Sequence, residues 1–347
     1  MEAQKRAGEL WAYVEELRPG IERALAAHLP CAPAHVGARF NDALRYALFP
    51  GGKRLRPVLT VLGAELVGAG SPASVLRAAA AVEYVHSSSL IFDDLPCMDD
   101  AAERRGRASL HLRYGEGLAV LVALALLNAS YGLIFDGDEA SRDRAVSAHA
   151  ELVACVGTQG MVTGQTLDLL DARPRPFKGA NGGTNGNGKA ANANGKGNGA
   201  RGLVGVEPNG NGFAVPAGAG GLDAFRCDGY DDVRNLKTSA LMRLALRLGA
   251  ILSGARERQL DALSRFAELL GQAYQLSDDV LDLAEDAALS AGGLRPPTLA
   301  LKRGAQDARL RIATLVAQAK QVLADEFGPA RPARLLGHVA DYIATRE

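Results

Sequence analysis

Residues 86–99 read HSSSLIFDDLPCMD, an apolar segment that ends in adjacent aspartates, with a third aspartate at Asp99. A second apolar segment ends in the same way, with carboxylates at Asp278, Asp279 and Asp282. Buried carboxylates repel one another and lose hydration, so several of them in an apolar setting indicate a bound cation. Oxygen donors alone favour Mg²⁺, which keeps several waters and is completed by substrate phosphates. The clusters predict facing helices that clamp a diphosphate, the alternative being two unrelated acidic surface turns.

The composition limits the class of protein. Of 347 residues, 48% are hydrophobic and only 5% aromatic, which suits a large helical bundle with an aliphatic core. The 39 basic and 39 acidic residues balance, so no overall field attracts nucleic acid or an anionic membrane. The cysteines lack CxxC spacing, which argues against a disulfide framework or a zinc site. The first residues show no signal peptide, and the longest apolar run, 118–127, is about half a membrane span, so we expect a cytoplasmic protein without a transmembrane segment.

Apolar residues recur at helical spacing along most of the chain, and no run alternates long enough to require a strand. Pro57 is placed at the first position of a helix, where proline is permitted. The pattern predicts an all-α bundle. The predicted helices are 5–28, 38–48, 58–68, 73–94, 116–135, 140–170, 231–253, 257–285 and 305–326.

One segment, 179–221, breaks the pattern, since 15 of its 43 residues are glycine and 8 are asparagine. It offers little apolar surface to offset the entropy of ordering, so it is predicted to be disordered and dispensable for chemistry. Motifs of one site lie on both sides of it. We therefore expect a single domain over 1–347 with an insertion, rather than two domains joined by a linker.

A basic stretch, GGKRLRP at 51–57, stands at the start of a predicted helix, whose free N–H groups favour an anion. Lys53, Arg54 and Arg56 would add charge for a diphosphate, although solvated basic turns are also common. His86 lies two helical turns before Asp93, hence on the same face. A histidine buried in the core is the alternative there.

These motifs together resemble the trans-isoprenyl diphosphate synthases, in particular bacterial geranylgeranyl diphosphate synthases, over about residues 41–304. The resemblance implies the isoprenoid synthase type of bundle, with a central apolar cavity, and a homodimer. It implies an Mg²⁺-dependent prenyltransferase with about three ions per site, held with the diphosphate. The enzyme would condense isopentenyl diphosphate with an allylic diphosphate to geranylgeranyl diphosphate, C20, for isoprenoid and carotenoid biosynthesis.

The resemblance also implies a role for each matching residue. The catalytic carboxylates are Asp93, Asp94, Asp99, Asp278, Asp279 and Asp282, and all except Asp279 are metal ligands. Isopentenyl diphosphate is bound by Lys53, Arg56, His86 and Arg105. The allylic diphosphate is bound by Arg104, Lys237, Thr238 and Gln275. Cavity-lining positions are Gln165 and Asp168, and chain length is set at Ser88 and Ser89.

The chain-length prediction depends on the helix that ends at Asp93. Ser88 and Ser89, one turn earlier, are small, whereas relatives that stop at C15 often carry an aromatic there. Tyr84 is the next bulky residue, deeper by about 5.4 Å, or roughly one isoprene unit. Extension should therefore stop near C20, unless the serines merely pack against a neighbouring helix.

The chain departs from the family pattern at two places. After Asp100 the further aspartates of the first motif are absent. The lysine-containing stretch that follows the second cluster is also missing, with Arg295 or Lys302 as substitutes. The alternatives are a farnesyl diphosphate (C15) synthase and a weakly active regulatory subunit of a heteromeric synthase. A terpene cyclase or a head-to-head synthase would leave Lys53, Arg56 and Arg105 without a role.

Overall fold

A computed structural model of the chain describes residues 2–49, 51–68, 70–135, 142–171, 230–281, 283 and 299–346. In these ranges the strand structure is one antiparallel hairpin, β1 (Glu103–Arg104) and β2 (Arg107–Ala108). The all-α prediction is confirmed. The helices are α1 (Glu2–Ala27), α2 (Ala34–Leu48), α3 (Leu55–Val67), α4 (Pro72–Asp93), α5 (Leu110–Tyr114), α6 (Glu116–Leu133), α7 (Arg142–Val156), α8 (Met161–Asp171), α9 (Tyr230–Leu252), α10 (Glu257–Leu281), α11 (Leu299–Arg303), α12 (Ala305–Phe327) and α13 (Arg331–Ala344).

Helices α3 and α9 meet at the centre of the bundle, backbone against backbone. A Cβ atom added to Gly63 would lie 2.1 Å from the carbonyl oxygen of Leu246, and one added to Gly249 would lie 1.9 Å from that of Thr60. Only glycine permits this approach on both helices. Because α9 also packs against α7, α8 and α10, it connects the two halves of the described chain.

Helix α4 carries the first aspartate cluster at its end and packs against α3 and α6. Its middle, residues 78–81, is four buried alanines, which let neighbouring helices come close. Tyr84 follows, fully buried, and its hydroxyl donates to the carbonyl oxygen of Leu25 on α1 at 2.7 Å. The side chain beneath the predicted site is therefore fixed at both its ring and its hydroxyl.

The predicted helix 140–170 is wrong, because the chain forms two helices, α7 and α8, with a break after Val156. Gly160 lies in the break, and a Cβ atom there would stand 2.1 Å from the carbonyl oxygen of Cys155. The helix is interrupted by a turn at this point, although apolar spacing continues across it. Helix α3 also begins two residues before Pro57, in a first turn whose N–H groups have no helical acceptor.

Helix α13, the last described helix, was not predicted from the sequence. Its apolar residues follow helical spacing and are buried, at Leu335, Leu336, Val339, Ala340 and Ile343. It packs against α1, α3, α10 and α12, so it reaches the basic turn before α3 and the helix of the second cluster. The short helices α5 and α11 were also not predicted, and the segment 179–221 lies outside the described residues.

Within the described ranges, α6 is long and apolar enough to cross a bilayer, by length and composition alone. Its 18 residues have a mean hydropathy of 1.6, and 28% of them are buried. The longest unbroken apolar run in the sequence, 118–127, is much shorter than this helix, so no span was expected here. Leu121 and Leu124 on α6 are each 54% exposed, which leaves an apolar face on the surface.

Candidate active site

The first aspartate cluster lies where α4 ends and the chain turns back. The backbone N–H of Asp99 donates to the carbonyl oxygen of Asp93 at 2.8 Å, which returns the third aspartate to the first. Asp93 is 8% exposed and Asp94 is 3% exposed, whereas Asp99 is exposed. Two adjacent carboxylates are thus held largely out of water, with the third at the rim.

Arg104 and Arg105 follow this cluster and reach different places. Arg105 and Gly106 have φ values of 54° and 74° and form the two-residue turn between β1 and β2. Arg104 binds Asp94, with 3.0 Å between Nε and Oδ1 and a further contact from Nη2. Arg105 lies against Gly52 instead, since a Cβ atom at Gly52 would be 3.3 Å from its Cζ. Because the hairpin turn is tight, Arg104 contacts the first aspartate cluster, whereas Arg105 lies against the basic turn at 51–57.

Arg54 holds the basic turn in place. It is 2% exposed and has a φ of 54°, an unusual conformation for a residue with a side chain. Its guanidinium donates to Glu22 at 2.7 Å, to Glu83 at 2.6 Å and to the carbonyl oxygen of Leu48 at 2.8 Å. Its charge is thereby compensated inside the protein.

Lys53, on the same turn, is held by α1 and α13. Its Nζ donates to the hydroxyl of Tyr342 at 2.5 Å and lies 4.9 Å from the centroid of that ring. The Trp11 ring centroid is 5.4 Å from the same Nζ, and the two neighbouring rings meet edge to face at 5.3 Å. Cation–π contacts of this kind fix the ammonium without neutralising it. Neither aromatic was identified from sequence, because nothing in the spacing links them to residue 53.

Arg56 and His86 meet between α3 and α4, with 3.2 Å between Nη1 and Nε2. Because a guanidinium can only donate, the histidine accepts at Nε2 and carries its proton on Nδ1. Burial, reinforced by the charge of Arg56, lowers the pKa of His86 well below its ordinary value. The imidazole is therefore neutral and orients Arg56.

The cations around His86 outnumber the acids that face them. Burial lowers the pKa of Arg56, and the charge of Arg105 adds to that effect. Burial likewise lowers the pKa of Arg105, with contributions from Arg54 and Arg104. Both guanidiniums stay charged, and Arg56 Nε has no hydrogen-bond partner among the described residues. Crowded, partly desolvated cations of this kind favour a bound anion.

The second cluster lies on the last turns of α10. Gln275 Nε2 donates to Asp279 Oδ1 at 3.3 Å, as expected for residues four apart on one helix face. Asp278 Oδ1 stands 2.8 Å from Nη1 of Arg346, whose guanidinium lies 4.3 Å from the centroid of the Tyr274 ring. Asp282 lies outside the described residues. Arg346 was not predicted, since no motif connects it to an aspartate so far along the chain.

The other predicted site residues are placed as follows. Ser88 is buried, and Ser89 Oγ donates to the carbonyl oxygen of His86 at 2.9 Å. Gln165 Nε2 lies 3.7 Å from Met98 Sδ, which puts α8 beside the first cluster, and Asp168 follows on the same helix. Thr238 is on α9, as is Lys237, whose side chain is not described. Arg295 lies outside the described residues, and Lys302 is on α11.

The donor set fits Mg²⁺ that is shared with a substrate. Within the described ranges, no group of three or more His, Cys, Asp or Glu side chains is placed to hold an ion by itself. Asp93 and Asp94 supply hard oxygen ligands at the first cluster, and Asp278 supplies them at the second. Mg²⁺ is usually bound by one or two carboxylates and completed by phosphate oxygens and water.

Comparisons with known proteins agree on one family. The family model described as polyprenyl synthetase matches residues 38–179 and 219–291, and so skips most of the glycine-rich segment. Geranylgeranyl pyrophosphate synthase 9 of Arabidopsis thaliana, chloroplastic, is 32% identical over 317 residues, which cover 88% of this chain and 74% of that protein. The chloroplastic geranylgeranyl pyrophosphate synthase of Capsicum annuum is 32% identical over 342 residues, 96% of this chain and 78% of its own. An apo FPP/GFPP synthase structure from Zymomonas mobilis has a TM-score of 0.73 at 27% identity and covers 98% of this chain and 100% of its own.

Proposed function

Since the chain belongs to the polyprenyl synthetase family of trans-isoprenyl diphosphate synthases, and is a prenyltransferase of the isoprenoid synthase fold, we propose that it makes geranylgeranyl diphosphate. In this proposal it condenses isopentenyl diphosphate with an allylic diphosphate in an Mg²⁺-dependent reaction. The observation that carries the proposal is the group of cations at Lys53, Arg56 and Arg105, next to buried aspartates. Such an arrangement suits two diphosphates better than any single neutral substrate.

The two diphosphates are divided between the two arginines of the hairpin. Arg105, Arg56 and Lys53 lie around the basic turn and bind isopentenyl diphosphate, with neutral His86 orienting Arg56. Arg104 faces the first aspartate cluster, so it contacts the allylic diphosphate, together with Gln275, Lys237 and Thr238. The residues that would hold Mg²⁺ are Asp93, Asp94, Asp99, Asp278 and Asp282, and the ion would supply positive charge to the departing diphosphate.

The reaction requires a dry cavity. The allylic C–O bond breaks, and the double bond of isopentenyl diphosphate attacks the cation to form a C–C bond. A proton is then lost to the released diphosphate. Apolar helix walls exclude water, which would otherwise quench the cation. Support for the C20 product comes from small Ser88 above fixed Tyr84. It also comes from relatives that are named geranylgeranyl pyrophosphate synthases, although the Zymomonas mobilis structure is named for other lengths.

We also propose a homodimer formed through α6. The exposed apolar side chains of this helix, Val120, Leu121 and Leu124, are supported by exposed Leu112 and Phe135 on either side. Contiguous apolar surface of this kind usually marks an interface. Analytical ultracentrifugation should give a dimer for the wild type and a monomer for a variant with Leu121→Glu and Leu124→Glu. A cytoplasmic location and a single interrupted domain remain predictions.

The decisive experiment is a product analysis with the purified chain alone. Labelled isopentenyl diphosphate is supplied with dimethylallyl, geranyl or farnesyl diphosphate, with Mg²⁺ or with EDTA. We expect C20 as the main product from each primer and no product in EDTA. A main product of C15 would favour a farnesyl diphosphate synthase. An inactive but folded protein would favour a regulatory subunit, in keeping with the absent lysine after the second cluster.

A further inference from the structure

The last turn of α13 and the residues just beyond it lie at the candidate site. Tyr342, in its last turn, holds Lys53, and Arg346, just beyond the helix, pairs with Asp278. The Arg346 side chain is 21% exposed and that of Asp278 is 32% exposed, so the pair is partly shielded from water. The carboxy-terminal residues therefore contact both the basic turn and the second aspartate cluster.

We propose that Arg346 is an internal counter-ion of the second cluster, which a divalent cation with its diphosphate must displace from Asp278. The inference rests on the proposed function, because it takes Asp278 to be a metal ligand. In this view Arg346 is a positioning residue. It keeps the metal-free site folded and sets the cation concentration at which the site becomes occupied.

Repulsion between adjacent carboxylates explains why a counter-ion at this helix end is stabilising. Asp278 and Asp279 are neighbours on α10, and their charges repel when no cation is present. Gln275 donates a hydrogen bond to Asp279 but brings no charge. The guanidinium of Arg346 brings a positive charge to Asp278, so it reduces this repulsion and stabilises the metal-free helix end.

The geometry also allows exchange. The shortest contact between the two groups is 2.8 Å, from Nη1 to Oδ1, and the side chain of Asp278 is 32% exposed. By contrast, Asp94, which Arg104 binds in the first cluster, has a side chain that is only 5% exposed. Exposed ion pairs are weaker than buried ones, because water competes for both charges. Asp278 is thus the more accessible of the two paired carboxylates, and the Tyr274 ring can retain Arg346 beside the site after release.

The test measures cation binding directly. Mn²⁺ is titrated into the purified enzyme with inorganic pyrophosphate, and free Mn²⁺ is followed by electron paramagnetic resonance. Arg346→Gln should tighten Mn²⁺ binding about fivefold or more, because the competing charge is gone. Arg346→Lys keeps the charge and should stay near the wild type. The matched control is Arg334→Gln on α13, the helix just before Arg346. The partner of Arg334 is Glu9 at 2.7 Å, and this variant should have no effect.

A second measurement covers stability. Without divalent cation, Arg346→Gln should unfold at a lower temperature than the wild type, and Mn²⁺ with pyrophosphate should close that gap. Unchanged or weaker Mn²⁺ binding in Arg346→Gln overturns the inference. Weaker pyrophosphate binding at saturating Mn²⁺ also overturns it, since Arg346 would then be a diphosphate ligand. A wild type that makes product while these effects are absent refutes this inference alone, whereas a wild type that neither binds Mn²⁺ nor makes product refutes the proposed function as well.

Discussion

Arg54 and Glu83 form an ion pair inside the core, with 2.6 Å between Nη1 and Oε1 and with both residues 2% exposed. Glu83 lies on α4, one turn before His86, and Arg54 precedes α3. The pair therefore fixes the basic turn relative to the helix of the first aspartate cluster. It also holds Arg54 in a left-handed backbone conformation that costs free energy unless the surroundings impose it.

Glu83→Gln should lower the free energy of unfolding by about 3 kcal/mol, because it leaves a buried guanidinium without its closest charge. Glu22 contacts the same guanidinium but is 30% exposed, so Glu22→Gln should cost about 1 kcal/mol. Urea denaturation of both variants measures the difference. If Glu83→Gln were no less stable than Glu22→Gln, the pair would not be what holds the turn.

The two aspartate clusters should both be required for turnover. Asp93→Asn and Asp278→Asn should each lower kcat by several powers of ten, roughly 4 kcal/mol or more, since each removes charge that supports departure of the diphosphate. Asp100→Asn is the matched control, because Asp100 is exposed and its φ of 53° suits asparagine. Steady-state kinetics at saturating Mg²⁺ provide the comparison. Near wild-type turnover in either cluster variant would contradict a two-cluster mechanism.

Substitutions of the two hairpin arginines should affect KM for different substrates. Arg105→Gln should raise KM for isopentenyl diphosphate at least about tenfold, because it removes a charged contact, and should leave KM for the allylic substrate nearly unchanged. Arg104→Gln should have the converse effect. Each variant is the control for the other, and each substrate is varied at saturation of its partner. Equal effects on both substrates would mean that the turn does not divide the diphosphates.

His86 should make stability depend on pH below neutrality. Burial lowers its pKa in the folded protein, with Arg56 as the nearest contributing charge. Below about pH 6.5 the unfolded chain takes up a proton that the folded chain does not. The free energy of unfolding therefore falls with decreasing pH, by up to about 1.4 kcal/mol per unit, until the pH reaches the folded pKa. His86→Gln should lose this slope between pH 6.5 and 5.5 in urea unfolding, and an unchanged slope would show that folding does not lower the pKa of His86.

How far the sequence predicts the structure depends on the range of the interaction. Apolar spacing predicted most of the described helices. It failed at Gly160, because a short turn between two helices that pack on the same neighbour, α9, leaves the apolar spacing intact. The site shows the same division. Asp93, His86 and Asp278 were predicted as site residues from local motifs, whereas Glu83, Tyr342 and Arg346 act through contacts between segments far apart in the chain.

The product length should respond to Ser88. This residue is 2% exposed and lies one turn from Tyr84 on the same face of α4, where the Tyr84 hydroxyl is tied to Leu25. If an apolar channel runs past Ser88, then Ser88→Phe fills it, and the main product should shift from C20 to C15 while turnover continues. Ser88→Ala is the control and should keep the wild-type distribution.

The same variant distinguishes a channel from ordinary packing. A phenylalanine that enters open space changes stability little, whereas one forced against a packed neighbour destabilises the fold by about 1–3 kcal/mol. Chromatography of the products should therefore be read beside thermal unfolding of each variant. A shift to C15 with little loss of stability supports the channel. An unchanged product distribution or a large loss of stability in Ser88→Phe would place Ser88 against a neighbouring helix. Either result, or a C15 main product in the wild type, would remove the basis for the C20 prediction.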